Sequence, residues 1–268
     1  MPALHTYVFG PDLADADQSP GDPVVLALHG ITGHGLRWRN WAQTYFPDTR
    51  VLAPDLLGHG RSSFLPPWNI EAHVDAIVDT LDEYAPGRPV IVVAHSFGAA
   101  LALHTSRAIP DRIAGLVLLD PALGLPADAL SEVADSTVAS PDYTDEAEAR
   151  SEKVHGAWAD VPVEILDAEI AEHLVPLPNG RVNWRMSMPA IITVWGELAR
   201  PFVVPGAVVP TVLVQAMKVQ PPYVSPEFRS AMREFLGDQL TEIELDCDHM
   251  VLQERPADVA GYVRRLLG

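Results

Sequence analysis

Short runs rich in branched apolar residues recur along the chain at Val24–Leu28, Val51–Ala53, Val90–Ala94, Leu116–Leu119, Thr211–Val214 and Glu242–Leu245, bounded by Gly, Pro or Asp. Runs of this length and type predict strands buried on both faces, as in a parallel sheet. Between them the period changes to that of a helix: Ile70, Val74, Ile77, Val78 and Leu81 share one face, as do Val259, Tyr262, Val263, Leu266 and Leu267. Strand alternating with helix defines an α/β fold, a mostly parallel central sheet with helices on both faces. The alternation lapses between Pro121 and about Arg200, where no strand pattern is visible and Glu, Asp, Ala and Trp dominate. The chain is therefore expected to divide into a core of residues 1–121 and 200–268 and an inserted helical cap, 122–199.

Composition narrows this picture without changing it. The 268 residues suit one α/β core plus an insertion, and no segment approaches the roughly 18 unbroken apolar residues of a membrane span. Met1–Asp22 carries acids and prolines where a secretory signal needs a basic start and an apolar stretch, so a cytoplasmic location is expected. A formal charge of −18 opposes binding to nucleic acid and to anionic membrane surfaces. Much of that charge lies in the cap, where Pro126–Pro176 holds thirteen acids against Arg150 and Lys153. The single cysteine, Cys247, has no partner for a disulfide and reads as a small apolar filler near a strand end.

The candidate chemistry centres on Ser96. The apolar run Val90–Ala94 passes through His95-Ser96-Phe97-Gly98 into a small-residue helix, Ala99–Leu103. A serine on so sharp a strand-to-helix turn stands out from the sheet, and its backbone needs small residues two places before and after; Ala94 and Gly98 occupy them. The helix behind the serine offers its free N–H groups to an oxyanion, which makes the Phe97 amide one expected donor. Serine is a weak nucleophile at neutral pH and needs a base, and His249, between the last apolar run and the final amphipathic helix, is the candidate. His34, His73, His95 and His104 lack a suitable position, and His95 reads as a packed, hydrogen-bonded ring.

Further segments, in order, are His29-Gly30-Ile31, Ala53–Ser62, the Ser96 turn, Asp111-Arg112-Ile113 and Asp248-His249-Met250 before Glu254-Arg255-Pro256. Together these resemble the α/β-hydrolase superfamily from about residue 24 to 267, outside the cap. The resemblance implies a Ser-His-Asp hydrolase, with the Ile31 N–H as the second oxyanion donor and His249 where the family places its histidine. Many relatives carry the acid just after the strand corresponding to Thr211–Val214, but Gln215–Gln220 contains none. Certain lipases and the haloalkane dehalogenases take it instead from the end of the preceding strand, which corresponds here to Asp120; Asp246 and Asp248 are weaker rivals. Asp55 and His59 read as turn and packing residues.

The reaction expected on this basis is acyl transfer from a small-molecule ester or lactone to Ser96, with no metal or organic cofactor. Trp158, Trp184, Met186, Met188, Trp195 and Phe202 are available either to line an acyl pocket or to form the cap's own core. The acidic cap should disfavour strongly anionic substrates. Thioester hydrolysis, C–C bond hydrolysis and acyl transfer on the same fold stay open, as does a hydrolase-like binding protein without catalysis. A dinucleotide-binding reading of Gly30, Gly33 and Gly35 with Asp55 fails on order, because the spacing runs opposite to the fingerprint.

Overall fold

The computed structural model describes residues 4–12, 19 and 21–268. The expectation that Met1–Asp22 carries no secretory signal falls in part on residues outside that set. Strands β1 (Thr6–Phe9), β2 (Val24–Leu28) and β3 (Val51–Pro54) come first, with helix α1 (Arg39–Tyr45) between the last two. Helix α2 (Ile70–Tyr84), β4 (Val90–His95), α3 (Phe97–Ala108) and β5 (Ile113–Leu119) follow. Next come α4 (Ala127–Ala139), α5 (Glu146–Val154), α6 (Val163–His173), β6 (Leu174–Pro176), β7 (Val182–Trp184) and α7 (Met188–Leu198). The chain then forms β8 (Thr211–Ala216), α8 (Pro226–Leu236), β9 (Leu240–Leu245), α9 (Val251–Glu254) and α10 (Pro256–Leu267).

Seven strands form one sheet in the order β1-β3-β2-β4-β5-β8-β9, parallel except for β1, which runs antiparallel to β3. The central strands alternate between two cores, which is why their sequences are apolar throughout. Leu26, Val92 and Leu118 face α2, α3 and α8, where Ile77, Leu101 and Phe228 meet them. Val25, Val93 and Val117 face α1 and α10, where Trp41 and Val263 close the other side. The helix over Ile70–Leu81 is present, started by Asn69, whose side chain accepts from Ala72 N–H at 3.2 Å.

Three sequence expectations change. The strand at Glu242–Leu245 is not buried on both faces: β9 is the sheet edge, half exposed, with Glu242 and Glu244 paired to Arg229 of α8. Charge on an edge strand satisfies it without offering an apolar template to another chain. Thr6–Phe9 forms a strand that the apolar runs did not mark. Residues 121–200 are not free of strand either, since β6 and β7 pair as a short antiparallel hairpin.

Within that inserted stretch, α5, α6 and the hairpin gather a small core around Trp158, Leu166, Ile170 and Trp184. By contrast, Leu130 of α4 and Val194 and Leu198 of α7 join the main core. Among the described residues no helix is long and apolar enough to cross a membrane.

Candidate active site

Ser96 stands where β4 turns into α3, with φ +55°. A residue bearing a side chain adopts this left-handed value at a cost of about 1–3 kcal/mol, a strain that gathers at functional sites. The turn is held by Ser96 N–H donating to the Leu119 carbonyl (3.0 Å) and by the Ser96 carbonyl accepting from Ala99 N–H (2.9 Å). The demand for small neighbours is met without slack. A Cβ on Gly98 would lie 2.5 Å from the His29 carbonyl oxygen, and Ala94 is fully buried between Leu28 and Leu118 of the flanking strands.

The loop after β2 closes over this turn. A Cβ on Gly30 would stand 2.8 Å from Ser96 Cβ, so the loop backbone approaches the serine to contact distance. His29 fixes the loop's start: Nδ1–H donates to the Gly30 carbonyl (2.8 Å) and Nε2 accepts from Leu56 N–H (3.0 Å). Burial keeps this ring's pKa well below its ordinary value, so it stays neutral, as one donor and one acceptor require. Gly33 N–H donates to the Gly30 carbonyl at 3.0 Å, making a four-residue turn whose third residue, Thr32, has φ +61°. Ile31 lines the cavity beside Ser96. Phe97 is the first residue of α3, where helical amides have no acceptor within the helix.

His249 lies just after β9 and is gripped on several sides. Its Nδ1–H donates to Asp120 Oδ2 at 2.6 Å. The Asp120 carboxylate is wholly buried and its other oxygen accepts from Ala216 N–H at 3.1 Å. Ala216 ends β8, the strand after which many relatives carry their acid; here that strand end contributes a backbone donor that steadies Asp120. Asp120 itself has φ +42°, held by its N–H on the Val214 carbonyl (2.8 Å). Asp248 caps the His249 backbone N–H at 2.6 Å and does not face the ring nitrogen bound by Asp120. Tyr223 meets the imidazole edge-on at 4.8 Å.

His95 contributes more than sequence reasoning assigned it. Its ring packs against that of His249 at 4.5 Å, and its Nε2–H donates to the His249 carbonyl at 2.7 Å. Burial, followed by the neighbouring His249, depresses its pKa well below the histidine range, which leaves a neutral ring suited to clamping and not to proton transfer. The remaining histidines stand elsewhere. His34 bonds Glu169, and His73 Nδ1–H donates to the Asn69 carbonyl. Asp55 is a packing residue as expected, its carboxylate accepting from Gly35 N–H (2.7 Å) and Arg61 N–H (2.8 Å). Cys247 is fully buried in the core beneath β8.

Ser96 and His249 open onto one cavity of about 830 Å³. The Ser96 hydroxyl has no hydrogen-bond partner among the described residues; such contacts commonly tighten only when substrate is in place. Of the apolar residues singled out in the insertion and just after it, Trp158, Trp195 and Phe202 line the cavity, together with Leu125 and Leu130 of the inserted stretch. Trp184 and Met186 pack instead in the small core of α5, α6 and the hairpin, and Met188 is not part of the cavity wall. Arg37 also reaches the wall, but its charge is already met by Glu169.

The chain belongs to the alpha/beta hydrolase family, whose model matches residues 24–261. Among curated relatives it is 48% identical over 265 residues to Lipase LipV of Mycobacterium tuberculosis, covering 99% of this chain and 98% of that protein. Among solved structures, E-2-(acetamidomethylene)succinate hydrolase superposes with a TM-score of 0.80 at 18% identity, over 98% of this chain and 94% of that one. The thioesterase domain from the curacin biosynthetic pathway gives 0.74 at 25% identity, over 97% and 94%.

Proposed function

We propose that the chain is a serine ester hydrolase that cleaves a carboxylic ester or lactone of a neutral, largely apolar acyl substrate through an acyl-enzyme on Ser96. The observation that carries this reading is the Asp120–His249 hydrogen bond, set beside a strained Ser96 at the mouth of an apolar cavity. The kinship with a protein named a lipase over nearly the whole chain supports it.

In this mechanism His249 Nε2 takes the Ser96 proton as Oγ attacks the ester carbonyl carbon. The Ile31 and Phe97 amides receive the charge that develops on the carbonyl oxygen, a stabilisation worth about 10²–10³ in rate for a single donor. His249 then protonates the departing alcohol and activates water to release the acid. Asp120 keeps Nδ1 protonated and supports the imidazolium in each half-reaction. Residues 122–199 act as a cap that supplies the acyl wall through Leu125, Leu130, Trp158 and Trp195.

Hydrolysis of p-nitrophenyl esters of graded chain length tests the reading. Turnover should favour chains long enough to fill the cavity and vanish in Ser96→Ala. Turnover that persists in Ser96→Ala would reject it. The net charge of −11 on Pro126–Pro176 argues against acyl-CoA thioesters, whose rates should be low and should rise with salt as repulsion is screened.

A further inference from the structure

The thirteen acids of Pro126–Pro176 include one that is not a surface charge. Glu169 of α6 is 3% exposed. Both of its oxygens accept from Arg37, at 3.1 Å and 3.0 Å from Nε and at 2.5 Å from Nη2. His34 Nε2 adds a contact at 3.0 Å, and the Lys153 ammonium stands 3.9 Å away, lying over the Trp158 and Trp184 rings. A buried carboxylate surrounded this closely is held ionised, its pKa far below the ordinary value despite burial.

The same Nη2 of Arg37 that meets Glu169 also donates to the Thr32 carbonyl at 3.0 Å. Thr32 is the third residue of the Gly30–Gly33 turn, at a φ of +61° where glycine is the usual occupant and a β-branched residue is strained. Nothing in the intrinsic preference of threonine favours that turn, so an outside contact has to hold it. The Arg37 guanidinium is in place to do so, and it is itself fixed by a helix of the inserted stretch.

We infer that Arg37, seated on Glu169, is a positioning residue: it holds the Thr32 carbonyl and thereby the Gly30–Gly33 turn that aims the Ile31 amide at the reacting carbonyl oxygen. The inference rests on the proposed ester hydrolysis for its kinetic consequence, while its geometric part concerns the turn alone. Because Glu169 already takes two branches of the guanidinium, Arg37 does not read a substrate carboxylate although it borders the cavity. The insertion is thus more than a lid over the acyl site, since one of its helices helps build the oxyanion loop of the core.

Arg37→Lys is the direct test. A lysine keeps a cation against Glu169, preserving the buried pair, but a single nitrogen lacks the planar fork that serves Glu169 and Thr32 together. The expected result is a kcat lowered on the order of 10–100-fold, part of the value of one oxyanion donor, with KM changed by less than about threefold. Amide hydrogen exchange across Gly30–Gly33 should accelerate. Adding Thr32→Gly to Arg37→Lys should restore most of the lost kcat, since glycine adopts the turn unaided; a role confined to general stability would not respond to that change.

A kcat within twofold of the wild type, or a loss that Thr32→Gly does not restore, overturns the inference. Should Arg37→Lys fail to fold, Glu169→Gln, which keeps the shape and loosens the seat of Arg37, is expected to show the same split between kcat and KM, and an unchanged kcat there would also overturn it. If the wild type hydrolyses no ester, the functional reading falls, and hydrogen exchange of the turn in Arg37→Lys still decides the geometric part: unchanged exchange rejects it.

Discussion

The residue that most repays attention is Asp120. The sequence pointed to it as a candidate acid only indirectly, through the lack of an acid in Gln215–Gln220 and the presence of one at the preceding strand end. The structure gives the reason: the end of β8 turns its Ala216 N–H onto the Asp120 carboxylate, leaving Oδ2 for His249 at 2.6 Å. Asp120→Asn keeps the shape but removes the carboxylate that, in the proposed mechanism, stabilises the imidazolium. Its kcat should fall on the order of 10³–10⁴-fold with little change in KM, measured on the preferred ester. That His95 is a packed, hydrogen-bonded ring was legible; that its partner is the His249 carbonyl was not. Strand alternation assigns a face to each side chain and says nothing of which distant loop lies beyond it. The same limit hid Glu169, one acid among thirteen in a segment whose composition reads as a solvated surface.

Among the elements, the turn from β4 into α3 fixes Ser96, the proposed nucleophile, through a clearance that admits no extra atom. Gly98→Ala would put a methyl carbon 2.5 Å from the His29 carbonyl oxygen. The expected outcome is a loss of about 1–3 kcal/mol in unfolding free energy, the usual cost of overpacking, with loss of turnover as Ser96 and the β2 loop are driven apart. Denaturant titration and ester assay of the same variant check both. Helix α4 supplies a second case, because Ala129 lies on the cavity wall. Ala129→Trp should shorten the accepted chain, reducing kcat/KM for long esters by tenfold or more while acetate is spared.

Central strands and the long helices were readable because burial on both faces, or on one helical face, imposes a pattern over many residues. The short strands were not: Thr6–Phe9 spans four residues and β6 and β7 three each, too few for a period to stand out. Edge strand β9 was expected as a strand at Glu242–Leu245, and only its half exposure went unforeseen. The lapse of the α/β alternation suggested an insertion but gave no sign that α4 and α7 pack on the main core while α5, α6 and the hairpin form their own.

For the molecule as a whole, the buried histidines set the response to pH. His29, His59, His95 and His173 are all held well below the usual histidine pKa, burial being the first cause in each, with His59 brought to about 3. Between those depressed values and the ordinary value of about 6.5 the unfolded chain binds more protons than the folded one, so stability is present above pH 6.5 and is lost as pH falls. Each such group contributes a slope of up to about 1.4 kcal/mol per pH unit in that window. Urea midpoints should therefore drop steeply from pH 7 to pH 5, and a flat profile would show that these rings are not neutral and buried together.

The proposed mechanism stands or falls on Ser96 as the nucleophile, activated by His249 and Asp120. Treatment with a fluorophosphonate probe followed by mass spectrometry of the peptides tests it most directly. A single phosphonyl adduct is expected on Ser96, absent in Ser96→Ala and formed far more slowly in His249→Ala; an adduct on another residue, or labelling of Ser96 at an undiminished rate without His249, would contradict the mechanism.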